Sequence, residues 1–569
     1  MIIGIDLGTT HSLVGVFRDG QPLLIPNALG DLLTPSAVSI DGQGHTLVGL
    51  AARERASTHP QSTALSFKRW MGTEKATLLD GPTGPRSFRA EELSALVLQS
   101  LKADAEAFLG EPVSEAVITV PAYFNEAQRR ATRTAGELAG FKVERLLNEP
   151  TAAGLAYGLQ TRPAHSSFLV FDLGGGTFDV SVLEYFDGIV EVRASAGDTR
   201  LGGEDFAHAL AGLFAERAGL TADERSAWLQ ERAWWRLAEQ GKRDLGEHES
   251  TELTMSWQGR DLAAHITRAD FEAACGELLQ RLRRPIERAL ADAQIDGAGL
   301  AEVVLVGGAT RMPMIRQLAT RLFQRLPLRT IDPDLAIAQG AAVQAGLKAR
   351  DAALNEVVLT DVMPYSLGII TATTVNGRMV SDRFSPIIER NTPVPVSRVE
   401  RFHTVADQQR QILIDVRQGE SPIGSENLRL GTLEIDVPPA PAGGACIQLR
   451  FTYDVNGLLA VDALEAQTGR SHQLLIEGGT SQMSAADKAA AVERLLTLKR
   501  HPRDAQDNRY QIERAKRLYE GRLGEERSAV QAWLSAFESV LETQDERQIR
   551  QARQSLRECL DAIDRGFRF

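Results

Sequence analysis

The 569-residue chain predicts a multidomain fold: an α/β domain over residues 1–352, a β-sandwich over 364–479 and an α-helical tail over 480–569, with residues 353–363 joining the first two. Three observations carry that prediction. In the first part, β runs alternate with amphipathic helical patterns, as in α/β folds. In the second, short β runs such as RQILIDVRQGE and IQLRFTYDVNGLLAVDAL are separated by Pro, Gly and Asn, as in a sandwich. Strand signals then stop near Ser481, and DKAAAVERLLTLK opens a run of charge-laced amphipathic helices.

The first element is MIIGIDLGTT. Its apolar run is a few residues long and follows no basic stretch, so it is read as a buried strand rather than a leader or membrane anchor. The same pattern then returns. Ile3 to Gly20 reads IGIDLGTTHSLVGVFRDG and Phe171 to Gly188 reads FDLGGGTFDVSVLEYFDG. Each is a β run, Asp-Leu-Gly, a Thr, a second β run and an Asp-Gly turn of the hairpin type. Ten positions separate Thr9 from Asp19 and Thr177 from Asp187, while the second copy carries two extra glycines between Asp and Thr. One hairpin is used twice.

Glycines packed into such a turn give up conformational entropy and pack no side chain, so bare backbone is needed there. Two hairpin loops facing each other across a cleft can hold a polyphosphate, their N–H groups and hydroxyls donating to its oxygens. Asp6 and Asp172 alone would repel phosphate, but they suit a hydrated Mg²⁺ that bridges to it. A third glycine turn follows the apolar strand of EVVLVGGATRMP, residues 302–313, where a nucleoside can lie against the backbone of Gly307 and Gly308. Between these motifs, Asn125 caps a helix, Glu126 suits its first turn and Gly140 ends it. The apolar stretch in NEVVLTDVMP, residues 355–364, reads equally as one more buried strand.

Composition narrows the partners. A net charge of −12 offers no general basic face for nucleic acid. Cys275, Cys446 and Cys559 lie far apart with no CxxC or Cys/His cluster, which points to neither a disulfide framework nor zinc and fits a cytoplasmic protein.

Longer strings identify a family. VPAYFNEAQRRATRTAG (120–136), NEPTAAGLAYG (148–158), FDLGGGTFDV (171–180), AGDTRLGGEDF (196–206) and DPDLAIAQGAAVQAG (332–346) resemble the DnaK family of seventy-kilodalton heat-shock chaperones, within the actin-like ATPase superfamily. FSPIIERNTPVPVSRVE (384–400) and the short C-terminal region look most like the HscC-type branch. The resemblance implies an actin-like ATPase domain, an interdomain linker at 353–363, a peptide-binding sandwich and a helical lid over it. It further implies an ATP-dependent chaperone of protein folding and the stress response, using ATP/ADP and Mg²⁺. Its partners would be unfolded or extended client polypeptides, a J-domain co-chaperone and a nucleotide-exchange factor.

Site residues carry over by motif. Asp6, Gly8, Thr9, Thr10 and His11 stand in the first phosphate loop, and Gly174, Gly175, Gly176 and Thr177 in the second, with Gly202 and Gly203 beside it. Lys68 in SFKRWMG matches the catalytic lysine, which sequence alone would leave as an ordinary exposed lysine. Glu149, Asp172, Thr177 and Asp179 match the catalytic set, with Asp6 and Asp172 holding Mg²⁺ through water. Glu239, Lys242 and Arg243 share a helix face and form the adenosine clamp opposite Gly307, Gly308, Arg311 and Asp334. Peptide contacts fall on Ile369, Thr371, Ala372, Phe402, Val405, Gln409, Ile412 and Ile414, most of which also suit plain core. Pro121 and Arg129 relay nucleotide state, Arg145 and Asp361 meet the co-chaperone, and Val357, Val358, Leu359 and Asp361 dock on the ATPase domain. The chain departs from the family pattern at Gly246, Thr360, Ala372, Val405 and Ala442. A small-molecule kinase or a filament-forming actin relative would leave the last 200 or so residues without a purpose.

Overall fold

The computed structural model describes the chain apart from residues 162–165, 187–188, 232–233, 298, 329–331, 352–353, 355–357, 376–377, 454–458, 466–467, 477–501, 523, 542–545 and 566–569. Secondary structure is mixed α/β with several sheets. The doubled hairpin lies at the centre of the N-terminal part. Ile2–Leu7 pairs antiparallel with His11–Arg18, and Ser166–Leu173 pairs antiparallel with Phe178–Phe186. In each copy the first strand also takes a parallel partner, Glu115–Val120 in one and Glu302–Val306 in the other. The two sheets are thus built on one plan, and their strands are buried on both faces, as strands covered by helices must be. Asp19 and Gly20 both have positive φ, 53° and 78°, which is the turn the Asp-Gly pair predicts. The second Asp-Gly pair, at 187 and 188, lies outside the described residues.

The helix Glu126–Leu138 has the expected start and stop. Asn125 Oδ1 accepts from Gln128 N at 3.0 Å, Gln128 Oε1 accepts from Asn125 N at 3.0 Å, and Gly140 takes a left-handed φ of 82°.

The segment read as a buried strand is one over part of its length. Val358–Val362 adds to the second sheet, running parallel to Ile189–Asp198 with Val358 opposite Ile189 and Leu359 opposite Val190. Val357 lies outside the described residues, as do the side chains of Val358 and Leu359.

Two four-stranded antiparallel sheets follow. One orders Arg378–Ile388, Leu367–Val375, Gln411–Gln418 and Leu428–Asp436; the other orders Val396–His403, Cys446–Tyr453, Leu459–Glu465 and Ser471–Ile476. Ile369, Ile414, Val416 and Ile435 from the first meet Ile447, Leu449, Phe451 and Val461 from the second in one core, which makes the pair a sandwich. The Asn-Gly turn at 456 and 457 and the DKAAAVERLLTLK segment lie outside the described residues.

The described tail is three helices, Pro502–Glu520, Gly524–Leu541 and Glu546–Arg565, around Ala515, Leu518, Val530, Phe537, Leu556 and Leu560. The expected position over the sandwich is not where its first helix rests. Pro502–Glu520 packs on the short helix Leu50–Glu54 of the N-terminal part. Arg55 and Glu513 form a buried ion pair there at 2.8 Å, and Tyr510 lies against Ala51 and Ala52. A buried pair of that kind fixes the contact, because separating it would strand a charge.

Candidate functional site

The two hairpin loops touch. A Cβ on Gly175 would sit on Thr10 Oγ1, so side-chain-free backbone is what allows the loops to meet. The helix Gly203–Arg217 abuts the second loop: Gly203 N donates to Gly174 O and Glu204 N to Gly175 O, both at 2.9 Å. Gly202 leaves no room for a side chain against Gly175 and Gly176. A long helix therefore opens onto the same cleft as the loop amides, a setting that favours phosphate.

Carboxylates crowd below the loops. Asp6 is 7% exposed, Asp172 3%, Asp179 1% and Glu149 6%, and Lys68 at 3% exposure donates from Nζ to Glu149 Oε1 at 2.8 Å. The lysine is thus buried, reversing what its sequence alone indicates. Burial first, then repulsion from Glu149, pushes Asp6 up to about 7 and Asp179 up to about 8; Asp172 is raised by the same causes. Lys68 opposes the rise in all three. Thr119 Oγ1 donates to Asp6 at 2.9 Å, and the backbone N–H of Tyr123 donates to Asp179 at 3.0 Å. Asp172 Oδ2 is buried without a hydrogen-bond partner. Clustered carboxylates with an orphaned oxygen call for a cation. Among the described residues, no three His, Cys, Asp or Glu groups are placed together to ligate a metal ion.

Opposite, Lys242 Nζ bonds Glu239 at 2.6 Å and Gly203 O at 2.8 Å, while Arg311 pairs with Asp332 and Asp334 at 2.8 and 2.7 Å. The backbone turn at Gly307 passes so close to Leu173 O that no Cβ fits. Gly203, beside the second loop, thus lies between Lys242 and the turn Gly307–Arg311.

The chain matches the family described as Hsp70 protein over residues 2–565. It belongs to the Hsp70 family. It is 41% identical over 510 residues to "Chaperone protein DnaK 1" of Synechococcus sp. and to "Chaperone protein dnaK3" of Synechococcus elongatus, covering 84% of this chain and 66% of each relative. The chain thus spans slightly less than two thirds of the length of these curated relatives.

In this Hsp70 chain the segment after the N-terminal domain reaches the carboxylate site through named contacts. Asp361, 9% exposed, accepts from Asn148 Nδ2 at 2.7 Å, and Asn148 Oδ1 accepts from Arg129 at 2.6 Å. Arg129 also donates to Phe124 O at 3.0 Å and Ala122 O at 3.2 Å, holding the Pro121–Phe124 turn whose Tyr123 N–H binds Asp179. Arg145 bonds Gln344 at 3.2 Å and feels the charge of Asp361. Pro121 and Arg129, expected to relay nucleotide state, and Arg145 and Asp361, expected to meet the co-chaperone, are thus gathered there; of Leu359 only the backbone is described.

The predicted peptide residues divide. Ile369 and Ile414 are 4% and 1% exposed and belong to the sandwich core. Phe402 and Ile412 are half-buried against that core, and Val405 is 46% exposed. Gln409 folds back on its own loop, accepting from Val405 N at 3.0 Å and donating to Gln411 O at 2.9 Å. Thr371 donates to Arg383 O at 3.3 Å, and Ala372 lies half-buried in the same strand.

Several contacts escaped the sequence reading. Asn148 was visible only as part of NEPTAAGLAYG, and Thr119 as the residue before VPAYF. Arg69, next to Lys68, pairs across the cleft with Asp205 and lies 3.5 Å from Glu204. Nothing local marks these roles, because each depends on a partner far along the chain.

Proposed function

We propose that this Hsp70 chain is an ATP-dependent chaperone that binds and releases unfolded or extended apolar peptide segments, with Mg²⁺-dependent ATP hydrolysis switching peptide affinity through the linker. Its parts are an actin-like ATPase domain over 1–352, a linker at 353–363, a peptide-binding sandwich over 364–479 and a helical lid over 480–569. The observation that carries this reading is the chain of contacts from Asp361 through Asn148 and Arg129 to the turn that holds Asp179. A nucleotide enzyme alone has no use for it.

The residues fit a nucleotide with its metal. The loop backbone around Thr9, Thr10, Gly175 and Gly176, with the Gly203–Arg217 helix start, offers donors to phosphate oxygens; Glu239, Lys242, Arg243 and Arg311 flank the adenosine. Asp6 and Asp172 would hold Mg²⁺ through water, and the bound ion offsets the charge of the phosphates. Lys68 supplies the ammonium toward the transferring phosphoryl group, and Glu149 keeps it in place. Asp179, fixed by Tyr123, would orient the attacking water and, once a bound cation favours its ionised form, take up a proton from it, while the Thr177 hydroxyl would donate toward phosphate. The protein's task is positioning and charge neutralisation, with no covalent intermediate.

In the sandwich, Phe402, Ile412 and Val405 offer apolar surface to an extended peptide. J-domain and exchange-factor partners follow from the family, with Arg145 and Asp361 as the co-chaperone contact, and a cytoplasmic location is the companion proposal. No helix among the described residues is long and apolar enough to cross a membrane. The test is ATP turnover of the full chain with and without an unfolded apolar peptide. Stimulation by peptide, and none by sugars or acetate, is expected; stimulation by a small-molecule acceptor would make the chain a kinase.

A further inference from the structure

Three consecutive charged residues at the end of the short helix Leu50–Glu54 face three different bodies. Arg53 Nη1 lies 3.1 Å from His11 Nε2 in the first phosphate loop. Glu54 Oε2 accepts from Arg236 at 3.3 Å, on the far wall of the cleft, and forms an ion pair with Arg517 of the tail at 2.8 Å. Arg55 pairs with Glu513 of the tail at 2.8 Å and also donates to Ser39 Oγ at 3.0 Å and Ile40 O at 3.2 Å.

We infer that Arg53 is a further nucleotide ligand, delivered to the phosphate end of the cleft by this helix, and that docking of the tail helix sets its reach. The inference rests on the nucleotide-binding reading above. Its first support is the charge around His11. Burial, Arg53 and Arg243 push the imidazole down to about 3, so the ring is neutral and its Nε2 accepts from the Arg53 guanidinium. Arg53 is itself drawn below the usual arginine range by burial, which the neighbouring Glu54 partly offsets and repulsion from Arg243 on the other wall reinforces. The two guanidiniums line a cavity of about 150 Å³ with Glu54, Trp235, Arg236 and Glu239, whose carboxylate is paired with Lys242. Among the described residues, Arg53 and Arg243 have no ion-pair partner. Two like charges lining one cavity, one of them bonded to His11 of the first loop, are relieved by an anion entering between them, and a nucleotide phosphate is the anion this cleft admits.

The second support is how the helix is held. At five residues, with no side-chain cap at Gly49, it has little stability of its own, so whatever packs on it fixes its position. The tail does so with Glu513, Arg517 and Tyr510. The side chain that reaches the loop and the two that reach the tail are chain neighbours, so a shift at one end moves the other. Arg55 and Glu513 are therefore positioning residues for Arg53.

The experiment measures MgADP affinity of the full chain by calorimetry. Arg53→Met is expected to weaken binding roughly ten-fold, and Arg53→Lys to recover part of the loss. Glu513→Gln is expected to weaken it by a smaller factor, and to add nothing in the Arg53→Met background. Because Glu513→Gln strands a buried guanidinium, the exchange Arg55→Glu with Glu513→Arg is the second arm, expected to bind MgADP more tightly than Glu513→Gln alone. Unchanged affinity in Arg53→Met overturns the ligand assignment. An effect of Glu513→Gln that persists undiminished without Arg53, or an exchange variant no better than Glu513→Gln, overturns the positioning role. A wild-type chain that binds no MgADP would instead remove the nucleotide reading beneath both.

Discussion

Lys68 lies among Glu149, Asp6, Asp172 and Asp179, and its charge opposes the rise that burial and Glu149 impose on all three aspartates. Lys68→Ala should therefore lower single-turnover hydrolysis by roughly 10²- to 10³-fold, the range for removing one preorganised donor from a reacting centre. Nucleotide affinity should stay within a few-fold, since loops and clamp supply it; calorimetry beside the single-turnover rate checks both. In the sandwich, Ile414 and Ile412 are two positions apart on one strand yet play different parts. Ile414 is 1% exposed in the shared core, so Asp at this position attacks the fold and cannot report on a peptide cleft. Ile414→Ala should destabilise the sandwich by about 2 to 5 kcal/mol, read by urea unfolding. Ile412→Asp, half-buried, should leave the unfolding midpoint nearly unchanged and weaken binding of an apolar peptide measured by fluorescence anisotropy. The two hairpin loops were legible because at Gly8, Gly175 and Gly176 no Cβ fits, so only glycine can stand there. Lys68 was legible only through its motif, since its burial is made by Glu149, 81 positions away.

At the scale of elements, the contacts between domains carry opposite protonation preferences. Asp292 of the N-terminal domain takes two hydrogen bonds from Arg390 of the sandwich, at 2.9 and 2.8 Å, which hold its carboxyl below the ordinary range. Glu126 is buried against Tyr453 and Gln418 of the sandwich, and burial raises its carboxyl above the ordinary range. The two signs differ. Stability from Asp292 is present above its undocked titration near 4 and is lost as pH falls through the depressed value. Glu126 favours docking while protonated, so docking weakens as pH rises from its undocked titration near 4 through the raised value. Docking should accordingly be strongest in mild acid and fall on both sides, as energy transfer between labels on the two domains would show. Glu126→Gln should remove the loss on the alkaline side only; a profile still bell-shaped in that variant would assign the loss elsewhere. Fold was most legible where a pattern repeats. The doubled hairpin and the Asn125 cap are local, set by turn and capping chemistry. The resting place of the tail was not legible, because Glu513 and Arg55 are 458 positions apart and each alone is an ordinary surface charge.

For the whole molecule, the question is whether the contacts between its parts transmit free energy. Asp361 belongs to the strand Val358–Val362, which leads directly into the sandwich, and its carboxylate is tied through Asn148 and Arg129 to the turn under Asp179. If ATP favours this docked arrangement and docking lowers peptide affinity, then peptide must lower ATP affinity by the same factor, provided both are measured at equilibrium without hydrolysis. Such coupling amounts to about 1 to 3 kcal/mol, or roughly 5- to 150-fold. Thr360, where the family favours an apolar residue, places the expected value toward the low end. The Lys68→Ala chain makes the measurement possible, because ATP then persists while peptide affinity is read with and without it. Asp361→Ala in that background should leave ATP and peptide binding each intact and bring the ratio of the two peptide affinities to one. Asn148→Ala should do the same, since it removes the next contact in the chain. Equal peptide affinities with and without ATP in the Lys68→Ala parent would mean that the docked strand holds the parts together without joining their functions. Retained coupling in both Asp361→Ala and Asn148→Ala would route it instead through Asp292 and Arg390.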